Sequence, residues 1–345
     1  MAVITVVGSG MMGSALAFPA AENGHEVRLV GTPLDREIID TCRRTGRHPK
    51  FDRDFPAGCS YRQVEELETA LEGADLVIGG ISSFGVEWFS EYVLPKIPEG
   101  TKVLTVTKGL LDTPQGELLP YPYLWKKKLE ELGKKLDLCA VGGPCTSYEL
   151  VAHDHTEVTF CGYSMEALQA VRELLATDYY HIRLTTDVLG IESAVALKNG
   201  YALAVALTIG VNRKEFGPDS PLHFNSQAGV FGQAAGEMYG LLQSQGVSGM
   251  DSLWTGIGDL YVTVYGGRTR LIGILLGQGE DIDTAKEELN GVTLESLVVA
   301  ERVARAARIR AEKGLLDPAD FPLLFHVDAI LHHAPVDIPW EAFTH

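Results

Sequence analysis

The chain has 345 residues, of which 46% are hydrophobic and 22% charged, as in a folded protein with room for two domains. Its formal net charge of −17 excludes nucleic acid and anionic membranes as general partners, because both repel an acidic surface. The five cysteines lack metal-ligand spacing, and the "HDH" at 153–155 reads as loop, so we predict free thiols, a reducing cytoplasm and no metal site. We also expect no signal peptide and no membrane insertion, since the first residues lack a basic region and apolar runs are interrupted.

The first half alternates strands and helices. Strands are predicted over residues 2–7, 25–31, 75–81, 102–109, 137–143, 156–162 and 180–186. Helices are predicted from Met11 to Asn23-Gly24 and over 64–74, 124–135 and 165–176, and residues 43–61 are predicted to form a loop. This alternation predicts an α/β fold with a mostly parallel, doubly wound sheet of the Rossmann type.

From about Thr186 onwards the sequence pattern changes from strand–helix alternation to helical periodicity. Long segments with helical apolar periodicity cover 190–210, 226–245, 252–264, 284–290 and 293–313. We therefore expect a dinucleotide-binding Rossmann domain over 1–187 and an all-helical substrate and catalytic domain over 188–345. The apolar helices of this half can supply the interface of a homodimer.

The stretch "VVGSGMMGSALA" follows the first strand and opens a helix. In that context its glycines are the dinucleotide-binding fingerprint, which lets pyrophosphate approach a helix N-terminus. A glycine turn without a ligand is the weaker alternative. The predicted cofactor-binding residues of this loop are Gly8, Ser9, Gly10, Met11, Met12 and Gly13.

The end of the second strand bears on the choice of cofactor. NAD-selective enzymes usually carry Asp or Glu there to bind the ribose 2′-hydroxyl, whereas this chain has Gly31 and Thr32. Arg36 either reaches a 2′-phosphate or is a solvated helix charge. We therefore predict NADP or NAD as cofactor, favour NADPH, and place Thr32 at the cofactor edge.

Lys198 stands in the apolar stretch "IESAVALKNGYALAVAL". Its neighbours three and four positions away on a helix are not acidic: Ala194, Val195, Tyr201 and Ala202. The commoner outcome for such a lysine is an amine that reaches past its stem to water. The alternative is an amine held in a cleft, where desolvation lowers its pKa and makes it a proton donor.

Two turns after strands are further candidates. Lys108 in "TVTKGLL" lies just past a strand's carboxyl end, where open α/β sheets bind ligands, although a surface lysine is the simpler interpretation. Gly142 and Gly143 in "AVGGPCTSYEL" form a turn that exposes backbone N–H groups before a short helix. A plain chain reversal is the alternative for that turn.

The stretch "GIGDLYVTVYGGRTRLIGILLGQG" holds charged candidates in the second half. Asp259 is suited to accept a hydrogen bond from an amine, and a helix N-cap is its alternative role. Arg268 lies on a glycine turn, where its planar fork suits phosphate. Arg270 competes for that role, and exposed salt bridging is the alternative for both arginines.

Together, seven ordered stretches resemble the soluble NAD(P)-dependent glycerol-3-phosphate dehydrogenases. They are "GSGMMG", "TKGL", "GGPCTSYEL", "ALKN", "GIGDL", "GGRTR…GQG" and the glutamate of "VTLES". The resemblance extends from Gly8 to about Glu295, and the order and separation of the stretches make it more specific than the fingerprint alone.

The resemblance implies a role for each matching residue. Lys198 is the general acid/base, Lys108 contacts both substrate and cofactor, and Asp259 helps to position the substrate and Lys198. Substrate contacts are implied for Lys108, Gly143, Asn199, Asp259, Gly267, Arg268 and Thr269. Further cofactor contacts are implied for Lys108, Ser147, Arg268 and Glu295.

The chain departs from the family at a few of these positions. Thr269 stands where the family usually has asparagine, and Cys145 and Ser296 also differ from the family pattern. These departures leave the reaction type intact and put the exact substrate in doubt.

The expected reaction is hydride transfer from the cofactor to dihydroxyacetone phosphate, while Lys198, facing an interdomain cleft, protonates the developing alkoxide. The reverse reaction oxidises sn-glycerol 3-phosphate. One alternative is a dehydrogenase for another small polyol phosphate or hydroxy acid. A noncatalytic NADP-binding sensor is a weaker one, because a sensor has no need of Lys108, Lys198, Asp259 and Arg268 together.

Overall fold

The structure is a computed structural model that describes residues 1–289 and 295–344. It divides into two compact units. The sheet unit comprises Met1–Lys108 and Tyr121–Val188, and the helical unit comprises Gly109–Pro120 and Leu189–His345. The segment Gly109–Pro120 therefore belongs with the helices, which differs from its predicted place in the first domain.

Eight strands form one sheet in the order β10-β9-β8-β5-β4-β1-β2-β3, and β6 and β7 form a separate antiparallel hairpin. Neighbouring strands of the large sheet are parallel except β8 and β9, which confirms the predicted fold class. The strands are β1 Val3–Val7, β2 Glu26–Val30, β3 Cys59–Arg62, β4 Leu76–Gly79, β5 Lys102–Thr105, β6 Leu110–Asp112, β7 Leu118–Pro120, β8 Asp137–Gly142, β9 Thr156–Gly162 and β10 Tyr180–Thr185.

The order of the strands locates the ligand-binding edge of this sheet. The chain runs from β1 outwards to β2 and β3, and then returns to β4 on the other side of β1. Val7 lies opposite both Val30 and Gly79, so β1, β2 and β4 end at the same level. The crevice at these carboxyl ends is the topological switch point, where open α/β sheets bind their ligands.

Helices of the sheet unit cover both faces of this sheet. They are α1 Met11–Glu22, α2 Arg36–Thr45, α3 Leu67–Leu71, α4 Val86–Trp88, α5 Tyr121–Leu132, α6 Ser147–Val151 and α7 Met165–Leu175. Short 3₁₀ or π turns occupy Val64–Glu66, Ser83–Gly85, Phe89–Val93 and Leu94–Lys96. Apolar side chains of α1 and α7 pack with the central strands into one core around Phe18 and Phe160.

The predicted loop over 43–61 is wrong at both ends. Helix α2 continues to Thr45 and stops at Gly46, which has the left-handed φ of +70 that favours glycine. Cys59–Arg62 adds the edge strand β3 beside β2. Its short polar sequence, "CSYR", lacks the apolar alternation that would have predicted it.

The helical unit contains seven α-helices in its described residues. They are α8 Val188–Phe216, α9 Phe224–Ser244, α10 Met250–Gly266, α11 Thr269–Gln278, α12 Ile282–Glu288, α13 Glu295–Glu312 and α14 Pro322–Leu331. Two 3₁₀ turns cover Pro318–Asp320 and Trp340–Thr344. The prediction that this part of the chain is helical is confirmed, whereas α11 and α14 were not predicted. Residues 290 and 293–294, which belong to two predicted helices, lie outside the described residues.

Helix α8 is the central helix of this unit. By length and composition it is the one described helix that could cross a membrane, but 89% of its apolar window is buried inside the protein. It therefore fits the core helix of a globular unit. Gly273 on α11 lets that helix approach it closely, because a Cβ there would lie 2.6 Å from the Cβ of Ala206.

The β6–β7 hairpin packs on α13 through polar contacts. Arg302 donates to the carbonyl oxygen of Leu110 at 2.9 Å, and Arg305 forms a two-pronged ion pair with Asp112 at 2.5 and 3.0 Å. Lys313 donates to the carbonyl oxygen of Gln115 at 2.8 Å. These contacts explain why the hairpin groups with the helical unit.

Candidate active site

The glycine-rich turn after β1 excludes side chains. Gly8 has a φ of +103, and a Cβ there would lie 2.6 Å from the carbonyl oxygen of Gly80, which follows β4. A Cβ on Gly13 would lie 2.8 Å from the Cα of Gly80. Gly10, the exposed N-cap of α1, has no side chain to cover the first-turn N–H groups. This open N-terminus fits the pyrophosphate of a dinucleotide.

The side chains of the loop residues are mostly turned inwards. Ser9 is fully buried, and its backbone N–H and C=O both bond to protein side chains. Met11 and Met12 are half-buried in the first turn of α1, and Met12 Sδ lies 4.0 Å from Cys145 Sγ. The loop therefore offers a bound molecule its backbone more than its side chains.

The turn after β2 carries the carboxylate of Asp35, which lies too far along the sequence to be expected at Thr32. Asp35 Oδ2 accepts hydrogen bonds from the N–H and hydroxyl of Thr32, each at 2.8 Å, and from Ser9 N–H at 3.2 Å. The premise that this place lacks a carboxylate is wrong, because the turn folds Asp35 back onto Thr32. Arg36, the suggested phosphate ligand, forms an exposed ion pair with Glu65.

Two predicted residues of the sheet unit meet after β5 and β8. Lys108 is half-buried, and its Nζ lies 3.5 Å from the carbonyl oxygen of Gly143. Gly143 has a φ of +126, a conformation that favours glycine. Ser147 is the half-buried first residue of α6. The structure thus brings Lys108 and Gly143 together at the carboxyl edge of the sheet.

In the helical unit, Lys198 of α8 forms a buried ion pair with Asp259 of α10. Lys198 is 7% exposed and Asp259 1% exposed. Lys198 therefore does not reach to bulk water, and Asp259 is not a helix N-cap, because it lies within α10. A buried ion pair is costly to build and costlier to break, which fixes both groups in one geometry.

Close packing of α8 and α10 creates this pair. A Cβ on Gly256 would lie 2.8 Å from the Cβ of Ala194, so glycine lets the helices approach there. Asp259 and Lys198 lie one turn further along their helices, three and four residues away, and share the faces of Gly256 and Ala194. The glycines of "GIGDL" are therefore part of how the carboxylate reaches the amine.

The glycine turn between α10 and α11 carries the predicted phosphate-binding arginine. Gly267 follows α10, and a Cβ there would lie 2.6 Å from the carbonyl oxygen of Thr263. Arg268 is the exposed N-cap of α11, and Thr269 is its buried first residue. Arg270 is half-buried, and its Nε has no hydrogen-bond partner in the described part of the chain. An arginine at the N-terminus of a ten-residue helix suits an anion.

The remaining predicted residues occupy helix positions in the same unit. Asn199 is half-buried beside Lys198 on α8. Glu295 is the half-buried first residue of α13, and the residues before it in "VTLES" lie outside the described part of the chain. Contacts of Asn199 and Glu295 with a ligand stay predictions.

The "HDH" residues have structural surroundings on the sheet unit. The ring of His153 stacks on Tyr179 with centroids 4.1 Å apart, and its Nε2 lies 2.9 Å from Glu22 Oε1. His155 Nδ1 lies 3.0 Å from His181 Nε2. These contacts agree with the interpretation of the motif as loop residues.

A mostly parallel sheet with a glycine cradle at its switch point, followed by helices that bury a lysine against a carboxylate, is the arrangement expected of an NAD(P)-dependent oxidoreductase. Residues 3–168 match the model of the NAD-dependent glycerol-3-phosphate dehydrogenase N-terminus, and residues 187–337 match that of the C-terminus. The chain belongs to this glycerol-3-phosphate dehydrogenase family.

Individual relatives agree with the family assignment. An NADP(+)-dependent glycerol-3-phosphate dehydrogenase of Archaeoglobus fulgidus is 32% identical over 320 residues, which cover 91% of this chain and 93% of the relative. A glycerol-3-phosphate dehydrogenase [NAD(P)+] of Stenotrophomonas maltophilia is 28% identical, over 95% of this chain and 90% of the relative. The predicted family, oxidoreductase class and NAD or NADP cofactor are confirmed.

A solved structure supports the fold. The crystal structure of glycerol-3-phosphate dehydrogenase from Coxiella burnetii aligns with a TM-score of 0.77 and 24% identity, over 99% of this chain and 97% of that chain. At this identity the likeness bears on the architecture alone.

Sequence reasoning missed three residues around the candidate site. Asp35 had a usable signal, since an aspartate just before a helix is a common N-cap that can fold back onto its turn. Gly256 was seen in its motif, but its contact with α8 depends on helix packing. His48, which bonds to the glycine loop, gave no signal as a single histidine in a polar segment.

Proposed function

We propose that this protein catalyses the reversible reduction of dihydroxyacetone phosphate to sn-glycerol 3-phosphate with NADPH or NADH. The buried ion pair of Lys198 and Asp259 carries the proposal. An ammonium fixed in this way is suited to protonate an alkoxide as it forms. A positioned proton donor contributes roughly 10²–10⁴-fold to the rate.

The glycine loop would hold the nicotinamide cofactor, which when bound would supply the hydride to the substrate's carbonyl carbon. Lys198 donates a proton from Nζ to the carbonyl oxygen as negative charge develops there. Asp259 keeps the amine oriented by accepting its hydrogen bond, and solvent returns the proton. The positive charge of Lys108 stabilises the same oxygen. In the oxidation of sn-glycerol 3-phosphate, the Lys198 amine removes the hydroxyl proton.

Arg268 and the N-terminus of α11 are proposed to bind the substrate phosphate. The arginine supplies paired donors, and the helix end adds backbone N–H groups and a favourable dipole. Gly267 allows the close turn, and the hydroxyl of Thr269 replaces the amide that the family usually has. Asn199 and Gly143 are proposed to contact the rest of the substrate.

The proposed cofactor preference is for NADPH. The relative from Archaeoglobus fulgidus, an NADP(+)-dependent glycerol-3-phosphate dehydrogenase, supports it. Asp35 argues in the other direction, because its carboxylate at Thr32 is positioned to disfavour a 2′-phosphate. Thr32, Ser147, Arg268 and Glu295 are proposed as the cofactor contacts beyond the glycine loop.

The test is a steady-state assay of the purified protein that follows the absorbance of the reduced cofactor. Dihydroxyacetone phosphate is compared with larger ketose phosphates, and NADPH with NADH. We expect dihydroxyacetone phosphate to give the highest kcat/KM, and NADPH to exceed NADH. A larger ketose phosphate as the best substrate would redirect the assignment to another polyol phosphate, as the Thr269 substitution permits. Cofactor binding without turnover of any of these substrates would indicate a sensor.

We also propose that the enzyme is a soluble cytoplasmic homodimer. The five cysteines all lie in the described residues and form no disulfide, which suits a reducing compartment. Met250, Trp254, Tyr261 and Tyr265 form an exposed stripe along one face of α10, which suits a second copy of the chain. Light scattering should give twice the mass of the chain, 2 × 37.4 kDa, and Trp254→Glu should give a monomer. A monomeric wild type would exclude the dimer.

A further inference from the structure

Two side chains hold Ser9, in the glycine loop, by its backbone. The Ser9 N–H donates to Asp35 Oδ2 at 3.2 Å, and the Ser9 carbonyl oxygen lies 3.0 Å from His48 Nε2. Both partners belong to the segment after β2. Because Ser9 is fully buried, water does not compete for these bonds. The loop between Gly8 and Gly10 is thus fixed from both sides of one residue.

The contacts of His48 show which of its two ring nitrogens carries the hydrogen. The backbone N–H of Lys50 donates to Nδ1 at 3.1 Å, so Nδ1 is an acceptor. The hydrogen of the neutral ring is therefore on Nε2, where it is donated to the Ser9 carbonyl oxygen. The ring is 1% exposed and packs against Phe51, with centroids 4.7 Å apart.

We propose that His48 is a positioning residue for cofactor binding, which holds the glycine loop open for the pyrophosphate by donating to Ser9. Asp35 supports the same loop residue from the other side. The inference rests on the proposed function, since it requires the glycine loop to bind a nicotinamide cofactor. His48 acts through Ser9 and not by touching the reacting atoms.

The same geometry makes cofactor binding sensitive to acid. A proton on Nδ1 would turn both ring nitrogens into donors, and the Lys50 N–H would then face another donor. Burial has the largest effect and lowers the pKa of His48. The bond to the Ser9 carbonyl oxygen and the charge of Asp35 raise that pKa, and the charge of Lys50 lowers it. The neutral ring therefore persists below the usual imidazole pKa of roughly 6.5. In more acidic solution the charged ring, which faces the Lys50 N–H and is costly to bury, leaves this position and takes its donor away from Ser9.

The first experiment measures Kd for NAD⁺ and NADP⁺ by calorimetry at pH 8. His48→Ala should raise Kd roughly tenfold or more, because the buried Ser9 carbonyl loses its donor. His48→Gln should raise it less, since the amide can still donate. The value of kcat at saturating cofactor should change little, so the effect is on KM for the cofactor.

His25→Gln is the matched control. His25 is a second histidine of the sheet unit with a pKa lowered mainly by burial, and its Nδ1 accepts from the Ala2 N–H at 3.2 Å, at the opposite ends of the strands. This variant should bind both cofactors like the wild type.

The second experiment compares the wild type with His48→Gln from pH 8 to pH 5. Only the wild type should lose affinity because of His48, and the difference between the two proteins cancels the titration of the 2′-phosphate of NADP⁺. Equal acid profiles would overturn the inference, as would wild-type affinity in His48→Ala. If His48→Ala does not fold, the acid profiles of the other two proteins decide. If the wild type binds neither cofactor, the proposed function is contradicted as well. If every variant binds the cofactors tightly, only the role of His48 is contradicted.

Discussion

The sheet unit and the helical unit use different parts of the polypeptide at their candidate sites. In the sheet unit the loop proposed to bind the cofactor presents mainly its backbone, and the backbone N–H and C=O of Ser9 bond to Asp35 and His48. In the helical unit the chemistry depends on two charged side chains, Lys198 and Asp259, buried between packed helices. Binding is therefore assigned to shape and backbone, and proton transfer to side-chain charge. Substitutions in the two units should separate these steps.

The largest effect is expected for Lys198→Met. It removes the proton donor, so kcat should fall roughly 10²–10⁴-fold. Cofactor affinity should stay near the wild-type value, since the glycine loop belongs to the sheet unit. Stopped-flow turnover together with cofactor titration separates the two quantities.

Two further variants control this experiment. Lys214→Met removes an exposed lysine from the last turn of the same helix and should leave kcat unchanged. Lys198→Met removes one partner of a buried ion pair, which costs about 3–5 kcal/mol of stability. The double variant Lys198→Met/Asp259→Leu removes both charges and should recover much of that stability without activity. Wild-type turnover in a folded Lys198→Met protein would exclude the lysine from the mechanism.

Gly8→Ala in the sheet unit should have the opposite effect to Lys198→Met, because it should weaken cofactor binding and not proton transfer. Its Cβ would lie 2.6 Å from the Gly80 carbonyl oxygen at a φ of +103, so the loop must shift. We expect Kd for the cofactor to rise roughly 10–100-fold, from strain of order 1–3 kcal/mol. Gly24→Ala is the control, because Gly24 also has a positive φ, +80, but has nothing within 4 Å of a Cβ. An equal loss of cofactor affinity in both variants would show that backbone strain, and not the shape of the cradle, causes the effect, and wild-type affinity in Gly8→Ala would show that neither does.

A smaller effect is expected at the turn before α11. Arg268→Met should raise KM for dihydroxyacetone phosphate roughly tenfold, because one charge-assisted contact to phosphate is lost. Arg270→Met, two residues further on, tests the competing assignment. If the Arg270 variant shows the larger rise in KM, the phosphate site has to be reassigned to that side chain.

The smallest effects concern how the free energy of unfolding depends on pH. Buried groups in the two units should change it in opposite directions. Burial lowers the pKa of His48, so its contribution to stability is present above about pH 6.5 and is lost as the pH falls. Burial raises the pKa of Glu237 on α9, so its contribution is present below about pH 4.5 and is lost as the pH rises. Chemical unfolding across pH 4–8 should show each slope reduced in His48→Gln and Glu237→Gln respectively. Unchanged slopes would mean that these groups titrate alike in the folded and unfolded chain.

Local pattern was enough to predict the sheet and most helices. Strand alternation with turn residues indicated the strands around β1, and the fingerprint located the ligand edge, because both signals are contained within a few residues. Helix α11 was not predicted, because Gly273 and Gly277 lower its helix propensity. These glycines allow close contact with α8. The edge strand β3 escaped because pairing with β2, and not its own composition, makes it a strand.

The candidate site was predictable in its residue types and not in its contacts. Lys198 was conspicuous as a lysine in an apolar helix, but its partner is 61 residues away and reaches it only through the Gly256 crossing. The carboxylate at Thr32 was missed because the turn folds Asp35 back, which sequence position alone does not reveal. Spacing along the chain predicts what shares a helix face, whereas contacts between elements follow from packing.

The hairpin of Gly109–Pro120 has a consequence for how this protein can be divided. The chain passes between its compact units after Lys108, after Pro120 and again after Val188. A single proteolytic nick therefore cannot yield two self-contained fragments. A recombinant piece beginning at residue 189 would lack the strands that Arg302 and Arg305 bind, so the helical half cannot be grafted onto another scaffold as one contiguous cassette.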